Sequence, residues 1–176
     1  MKQKFIDLYM DWAKRCAELS HAKRLHVGAV IVKDDTVISY GYNGMPAGWD
    51  NNCENVEWCS AGGWLSPEEI TEGWPYEGTY LDADGNTMQG RYCLKTKPEV
   101  LHAESNCIAK LAKSNESGLG ADLFVTHAPC LQCAKLIYQS GISCVYYGQQ
   151  YRDDSGLAFL EKSGVKLEQL PAEDFL

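Results

Sequence analysis

No stretch of this 176-residue sequence approaches the roughly 18 consecutive apolar residues that a membrane-spanning helix requires, so a membrane partner is not expected. No secretory pattern opens it either: Met1-Lys2-Gln3-Lys4 runs directly into an amphipathic repeat. Without that signal, the eight cysteines read as thiols and metal ligands in a reducing cytoplasm rather than as a disulfide framework. No block of Lys or Arg stands out. The formal net charge of -8 argues against nucleic acid as a partner, although a local basic pocket can still hold one phosphate. No internal repeat, low-complexity segment or linker divides the chain. Residues 1–176 are therefore read as a single domain, able to bury roughly two-thirds of its unfolded surface.

What is present is strong periodicity at both ends. Residues 5–19 place Phe5, Leu8, Tyr9, Trp12, Ala13, Cys16 and Leu19 at spacings of three and four, which predicts a helix with that face buried. Val27-Gly28-Ala29-Val30-Ile31-Val32 is short, apolar and rich in β-branched residues, as in a strand buried on both faces. Asp34-Asp35 supplies a turn into a second strand over residues 36–41, giving an antiparallel hairpin. Residues 49–97 are rich in glycine, tryptophan and polar residues and predict an insertion with partial structure, packed near the active site. Within it, Ser66-Pro67-Glu68-Glu69 reads as a helix start. Asp82-Ala83-Asp84-Gly85-Asn86 reads as a turn between short strands; its likeness to a calcium loop fails because the twelfth position is Cys93, not glutamate. Beyond Pro98, helices are predicted over 101–114, 130–140 and 155–163, alternating with strands over 122–126, 143–148 and 165–169. Such alternation implies crossover units and parallel strand pairs. The whole pattern predicts an α/β fold, a three-layer α/β/α sandwich around a mixed sheet of roughly five strands.

The chemistry concentrates in residues 102–133, with His102-Ala103-Glu104 at one end and Pro129-Cys130-Leu131-Gln132-Cys133 at the other. One imidazole and two cysteines make three zinc ligands, and a tetrahedral site with three protein ligands keeps its fourth position for water. Glu104, two residues from the imidazole, is placed to handle protons beside that water without ligating the metal. The predicted helices begin near His102 and Cys130, so both dipoles turn positive ends toward the metal and favour thiolates. Pro129 costs nothing where the N–H is unpaired anyway. Cys130 and Cys133, at i and i+3, share one helical face. The competing reading is a closed structural site with Cys107 as fourth ligand, which would leave Glu104 without a role. The open arrangement is the signature of the zinc nucleobase deaminases, in which an activated water attacks C4 of cytosine while the glutamate carries a proton to N3 and then to the departing amine.

Five blocks in order carry a closer resemblance: Val27-Gly28-Ala29-Val30-Ile31-Val32-Lys33-Asp34; Gly41-Tyr42-Asn43-Gly44-Met45-Pro46-Ala47-Gly48; His102-Ala103-Glu104-Ser105-Asn106; Pro129-Cys130 with Cys133; and Ser140-Gly141-Ile142 before a tyrosine-rich strand. Together they resemble the deoxycytidylate (dCMP) deaminases of bacteria and their viruses. The zinc blocks alone identify only the zinc-dependent cytidine/deoxycytidylate deaminase superfamily; the Gly-Tyr-Asn-Gly block narrows it. The resemblance implies a cytidine deaminase-like fold and hydrolysis of dCMP to dUMP and ammonia, supplying thymidylate synthesis in the cytoplasm, or in the host cytoplasm for a phage-encoded chain. It implies His102, Cys130 and Cys133 as ligands of one catalytic Zn2+ per chain, with Glu104 as the acid/base. Asn43 is implied to hydrogen-bond the nucleotide sugar or phosphate, with Ala103 as a further substrate-binding position and Tyr151 lining the pocket. Lys23, Arg24 and Arg152 are candidates for the substrate phosphate, which needs a cationic partner in so acidic a chain. Allosteric activation by dCTP and inhibition by dTTP are implied as well, with Mg2+ accompanying the triphosphates, at a site including Gly41, Tyr42, Asn43 and Gly44. So is a homo-oligomer, a hexamer being favoured.

Some phage members carry a second, structural Zn2+ whose ligands include a cysteine just before the first strand and another after the Gly-Tyr-Asn-Gly block. No cysteine stands at the first of these positions here, and His21, His26, Cys53 and Cys59 offer a substitute set. Leu131 stands where proline is frequent and His127-Ala128 where Leu-Ser is more usual; neither is a ligand position. Two other readings stay open. One is a deaminase of another base, such as free cytosine, guanine or the wobble adenosine of tRNA, the last disfavoured by the acidic charge. The other is a catalytically silent zinc domain that binds nucleotides, disfavoured by the retention of Glu104.

Overall fold

The computed structural model describes residues 1–60, 65–151 and 153–171. In chain order its elements are α1 (Gln3–Ala17), β1 (Gly28–Lys33), β2 (Thr36–Tyr42), β3 (Glu54–Trp58), α2 (Pro67–Gly73), β4 (Tyr76–Leu81), β5 (Thr87–Thr96), α3 (Ala103–Leu111), β6 (Asp122–His127), α4 (Leu131–Gln139), β7 (Cys144–Gln149), α5 (Ser155–Lys162) and β8 (Lys166–Gln169). Two compact units result: Met1–Asn52 with Glu99–Leu176, and Cys53–Pro98.

The first unit holds a mixed five-stranded sheet in the order β2-β1-β6-β7-β8. The hairpin β1–β2 turns at Asp34 and Asp35, whose φ values of 49° and 57° give the left-handed turn that matches strand twist. Tyr9 Oη donates to the Asp35 carbonyl at 2.9 Å and ties this turn to α1. β1 runs antiparallel to β6, with Val30 opposite Phe124, while β6, β7 and β8 are parallel. The two parallel connections are the crossovers through α4 and α5.

Side chains alternate across the central strands and sort into two cores. Ala29, Ile31, Leu123, Val125, Val145 and Tyr147 join Cys107 and Leu111 of α3, Ala134 and Ile137 of α4, and Leu157 and Leu160 of α5. Val30, Val32, Phe124, Cys144 and Tyr146 join Ile6, Tyr9, Met10, Ala13 and Cys16 of α1. Helices on both faces explain why β1 reads as a continuous apolar run rather than an alternating one. On the α1 side Phe124 stacks on Tyr146 at 4.6 Å with the ring planes 4° apart.

Two expectations from periodicity need correction. The buried face of α1 is Ile6, Tyr9, Met10, Ala13, Cys16 and Ala17, whereas Leu8, Trp12 and Leu19 are 53%, 46% and 52% exposed. Both sets fit a 3.6-residue repeat; the buried one brings Ala13 and Ala17 against Gly28, where a Cβ would lie 1.9 Å from the Ala13 carbonyl oxygen and 2.4 Å from Ala17 N. The helix expected over 101–114 is also shorter, because Leu101 is extended and bridged to Gly44, and the chain turns after Leu111.

The second unit, Cys53–Pro98, is an antiparallel sheet in the order β3-β5-β4 with the short helix α2. A capping box closes the start of α2: Glu69 N donates to Ser66 Oγ, and Ser66 N donates to the Glu69 carboxylate. Trp58 lies between Tyr80 and Tyr92, with ring centroids at 4.6 and 5.0 Å, and covers Gly78 and Gly90. At the β4–β5 turn the Asp82 carboxylate accepts from Asp84 N and Asn86 N, its own backbone, as an Asx turn does.

Candidate active site

The start of α3 is fixed from outside by residues 41–44. Gly44 and Leu101 exchange backbone hydrogen bonds of 3.1 and 2.9 Å, which keeps the chain extended up to His102. His102 is the N-cap of α3, and Asn106, one turn on, donates from Nδ2 to the Tyr42 carbonyl at 2.8 Å. Gly41 faces the same turn so closely that a Cβ would lie 2.5 Å from the Ala103 carbonyl oxygen. The start of α4 supplies the rest: Cys130 is its N-cap and Cys133 the third residue inside it, following the fully buried Pro129.

Three donor atoms converge between these two helix N-termini. His102 Nδ1 lies 3.6 Å from Cys130 Sγ and 3.5 Å from Cys133 Sγ, and all three atoms lie within 4.8 Å of one another. Zinc bonds of about 2.3 Å to sulfur and about 2.0–2.1 Å to nitrogen at tetrahedral angles separate N from S by about 3.6 Å. One borderline nitrogen and two thiolates at these spacings fit zinc, with a coordination position left for water. Cys107 takes no part: its thiol is buried and donates to the Ala29 carbonyl at 3.1 Å, which removes the fourth ligand of a closed site.

Charge in the cluster is uneven. The Cys133 thiol and the His102 ring hydrogen-bond to Cys130 and hold its thiol well below the ordinary cysteine range, which favours the thiolate there. Cys133 is pushed up, first as the partner of Cys130 and then by burial. The bond to Cys130 also raises His102. Glu104 sits in the first turn of α3, fully buried, and burial raises its carboxyl above the ordinary carboxylate range while His102 opposes that shift. A carboxyl raised in this way holds a proton more readily than an exposed one, as a proton-transferring group must.

The other expected residues are placed as follows. Ala103 is buried in the first turn of α3, next to the cluster. The Asn43 side chain is engaged with the loop before β1: Oδ1 accepts from Val27 N and Nδ2 donates to the Leu25 carbonyl, both at 2.8 Å, leaving one lone pair and one hydrogen for another partner. Tyr151 is exposed just past β7. Lys23 and Arg24 are exposed in the loop between α1 and β1. Arg152 lies outside the described residues. Among the described residues no second group of three or more His, Cys, Asp or Glu side chains converges as the first does, and His26 Nε2 is bonded to the Ala22 carbonyl at 2.6 Å. Unforeseen from the sequence is a polar chain across the strand ends. Gly28 N donates to Thr126 Oγ1 at 3.2 Å, Thr126 Oγ1 meets His127 Nδ1 at 3.1 Å, and His127 Nε2 meets Gln149 Oε1 at 3.1 Å.

Comparison with known proteins bears on this arrangement. Residues 2–149 match the cytidine and deoxycytidylate deaminase zinc-binding region. ComE operon protein 2 of Bacillus subtilis (strain 168) is 32% identical over 169 residues, covering 96% of this chain and 72% of that protein. The deoxycytidylate deaminase of Enterobacteria phage T4 is 32% identical over 162 residues, covering 84% of this chain and 80% of the relative. The fold is similar to that of dCMP deaminase from the cyanophage S-TIM5, crystallised in complex with dCMP and dUMP, with a TM-score of 0.73, 34% identity, and coverage of 97% of this chain and 99% of that one. With the match running from α1 through β7 and including both halves of the donor cluster, the chain belongs to the cytidine and deoxycytidylate deaminase family.

Proposed function

We propose that this protein hydrolyses dCMP to dUMP and ammonia. The observation that carries the substrate is end-to-end likeness to an enzyme crystallised with dCMP and dUMP. In this reading His102, Cys130 and Cys133 hold one Zn2+, which when bound lowers the pKa of a water and so supplies a nucleophile at neutral pH. Glu104 would accept one proton of the attacking water and deliver it to ring N3 as oxygen bonds to C4; it would then take the second proton from the new C4 hydroxyl and pass it to the amine, so that the carbonyl forms as the C4–N bond breaks and ammonia leaves. Its burial beside the donor cluster keeps that proton from bulk solvent. Asn43 offers its remaining lone pair and hydrogen to the sugar or phosphate, Ala103 and Tyr151 border the nucleotide, and Lys23, Arg24 or Arg152 meets the phosphate. The Cys53–Pro98 unit is read as an insertion into this one deaminase domain.

The same reading extends to activation by dCTP with Mg2+, inhibition by dTTP at residues 41–44, a homohexamer and a cytoplasmic setting. The last is supported by eight free thiols, and the rest by the Gly-Tyr-Asn-Gly block. A second Zn2+ would need ligands beyond the cluster described.

The test is direct: incubation with dCMP while following loss of cytosine absorbance and release of ammonia, with cytosine, guanine and a tRNA anticodon stem as competing substrates. Turnover of dCMP alone is expected. Absence of dCMP turnover both with and without dCTP and Mg2+ would overturn the proposal, and turnover of another base would replace it.

A further inference from the structure

One element that frames the metal centre lies beyond the residues matched to the family. The first turn of α5 is fixed by Asp153, which accepts from Ser155 N at 2.9 Å and from Ser155 Oγ at 2.8 Å. The next residue, Gly156, is buried and lies against the peptide leading into Cys130. A Cβ at Gly156 would stand 2.0 Å from the Pro129 carbonyl oxygen, 2.8 Å from the Cys130 carbonyl carbon and 3.0 Å from its oxygen. All three are backbone atoms, so no side chain can swing aside. Gly156 is not among the glycines with positive φ. Space, not backbone conformation, is what requires glycine here.

The Cys130 carbonyl also accepts from Ala134 N at 2.9 Å, the first helical bond of α4. The contact therefore bears on the residue that both caps α4 and presents a ligand sulfur. Opening the 2.0 Å approach to the 3.0 Å that real Cβ atoms keep requires one backbone to retreat by about 1 Å. Zinc–ligand distances tolerate only about 0.2 Å.

We infer that Gly156 is a positioning residue of the metal centre: by letting the first turn of α5 press on the Pro129–Cys130 peptide, it sets the place of the Cys130 sulfur relative to His102 and Cys133. The inference rests on the zinc reading above.

Gly118 provides the comparison. A Cβ there would come within 2.8 Å of the Ser140 carbonyl, at the far end of α4 from the ligands. Full-length wild type, Gly156→Ala and Gly118→Ala are titrated with zinc against a chromophoric chelator, and their cobalt(II) forms are compared by visible absorption. Gly156→Ala is expected to bind zinc roughly 10- to 100-fold more weakly and to shift the cobalt bands. Gly118→Ala is expected to lower thermal stability while leaving both readouts as in wild type. Wild-type affinity and bands in Gly156→Ala, or equal changes in both variants, would overturn the inference. Should Gly156→Ala fail to fold, Asp153→Ala carries the test: it frees the first turn of α5 and is expected to speed zinc loss to the chelator, and unchanged release counts against the role. If wild type binds no zinc, the zinc reading itself fails. If wild type and Gly156→Ala hold zinc equally, only the role of Gly156 does.

Discussion

Gly41 of β2 and Ala103 of α3 touch backbone to backbone, with no room for a methyl group between them: a Cβ on Gly41 would lie 2.5 Å from the Ala103 carbonyl oxygen and 2.9 Å from Cys107 N. The Gly-Tyr-Asn-Gly block that narrows the resemblance to dCMP deaminases is thus also the seat of the helix carrying His102 and Glu104. Gly41→Ala is expected to cost about 1–3 kcal/mol in urea unfolding through overpacking. It is also expected to lower kcat beyond what any change in folded fraction explains, because α3 must shift. A variant with full kcat would show that α3 repositions without disturbing its first turn.

Glu104→Gln keeps the shape of the side chain and removes its capacity to take a proton. Turnover of dCMP is expected to fall by roughly 10²- to 10⁴-fold, with zinc content unchanged by metal analysis. Stability is expected to hold or rise, since an ionised carboxylate is costly to bury whereas an amide is less so. Loss of zinc in this variant would mean that Glu104 supports the cluster rather than the proton transfer.

Asn43 has a structural duty as well as the substrate contact proposed for it. Its two 2.8 Å bonds hold the backbone at Leu25 and Val27, just before β1. Asn43→Ala removes both bonds, one of them at an exposed carbonyl that water can serve, and is expected to cost about 0.5–1.5 kcal/mol in urea unfolding without ligand. A raised KM alone, with stability untouched, would confine Asn43 to the substrate.

Helix and strand identity from Pro98 onward, the hairpin, and the convergence of His102 with Cys130 and Cys133 were legible because each rests on local pattern: period two, period 3.6, or donor spacing. Facing and closeness were not. Leu8 and Ile6 both fit the α1 repeat, and only packing against the sheet decides that Ile6 is buried. Leu101 continues a helical pattern, yet its pairing with Gly44, 57 positions away, makes it extended. Gly156 follows an Asp-Asp-Ser helix start, where glycine signals nothing special; its meaning comes from Pro129, brought near by the fold. Asn-Gly at 43–44 reads equally as a turn or as a ligand contact, and its bonds to Leu25 and Val27 are visible only in three dimensions.

The polar chain across the strand ends gives a pH dependence whose sign can be worked out. With its proton on Nε2, neutral His127 donates to Gln149 Oε1 and accepts the Thr126 hydroxyl at Nδ1, while Thr126 Oγ1 accepts from Gly28 N. A proton on Nδ1 removes that acceptor. Burial lowers the pKa of His127 below the ordinary histidine value, and the bond to Gln149 only partly offsets this. The unfolded chain therefore binds the proton first as pH falls. Stability from His127 is full above about pH 6.5 and is lost as pH drops from there toward the folded-state value, with a slope of at most about 1.4 kcal/mol per pH unit. Urea unfolding of zinc-loaded wild type and His127→Gln at pH 8 and pH 5.5 isolates the effect, because every other titrating group is common to both. Wild type is expected to lose more stability than His127→Gln on acidification; an equal or smaller loss would show that His127 is charged in the folded protein and that the Thr126 hydroxyl points elsewhere.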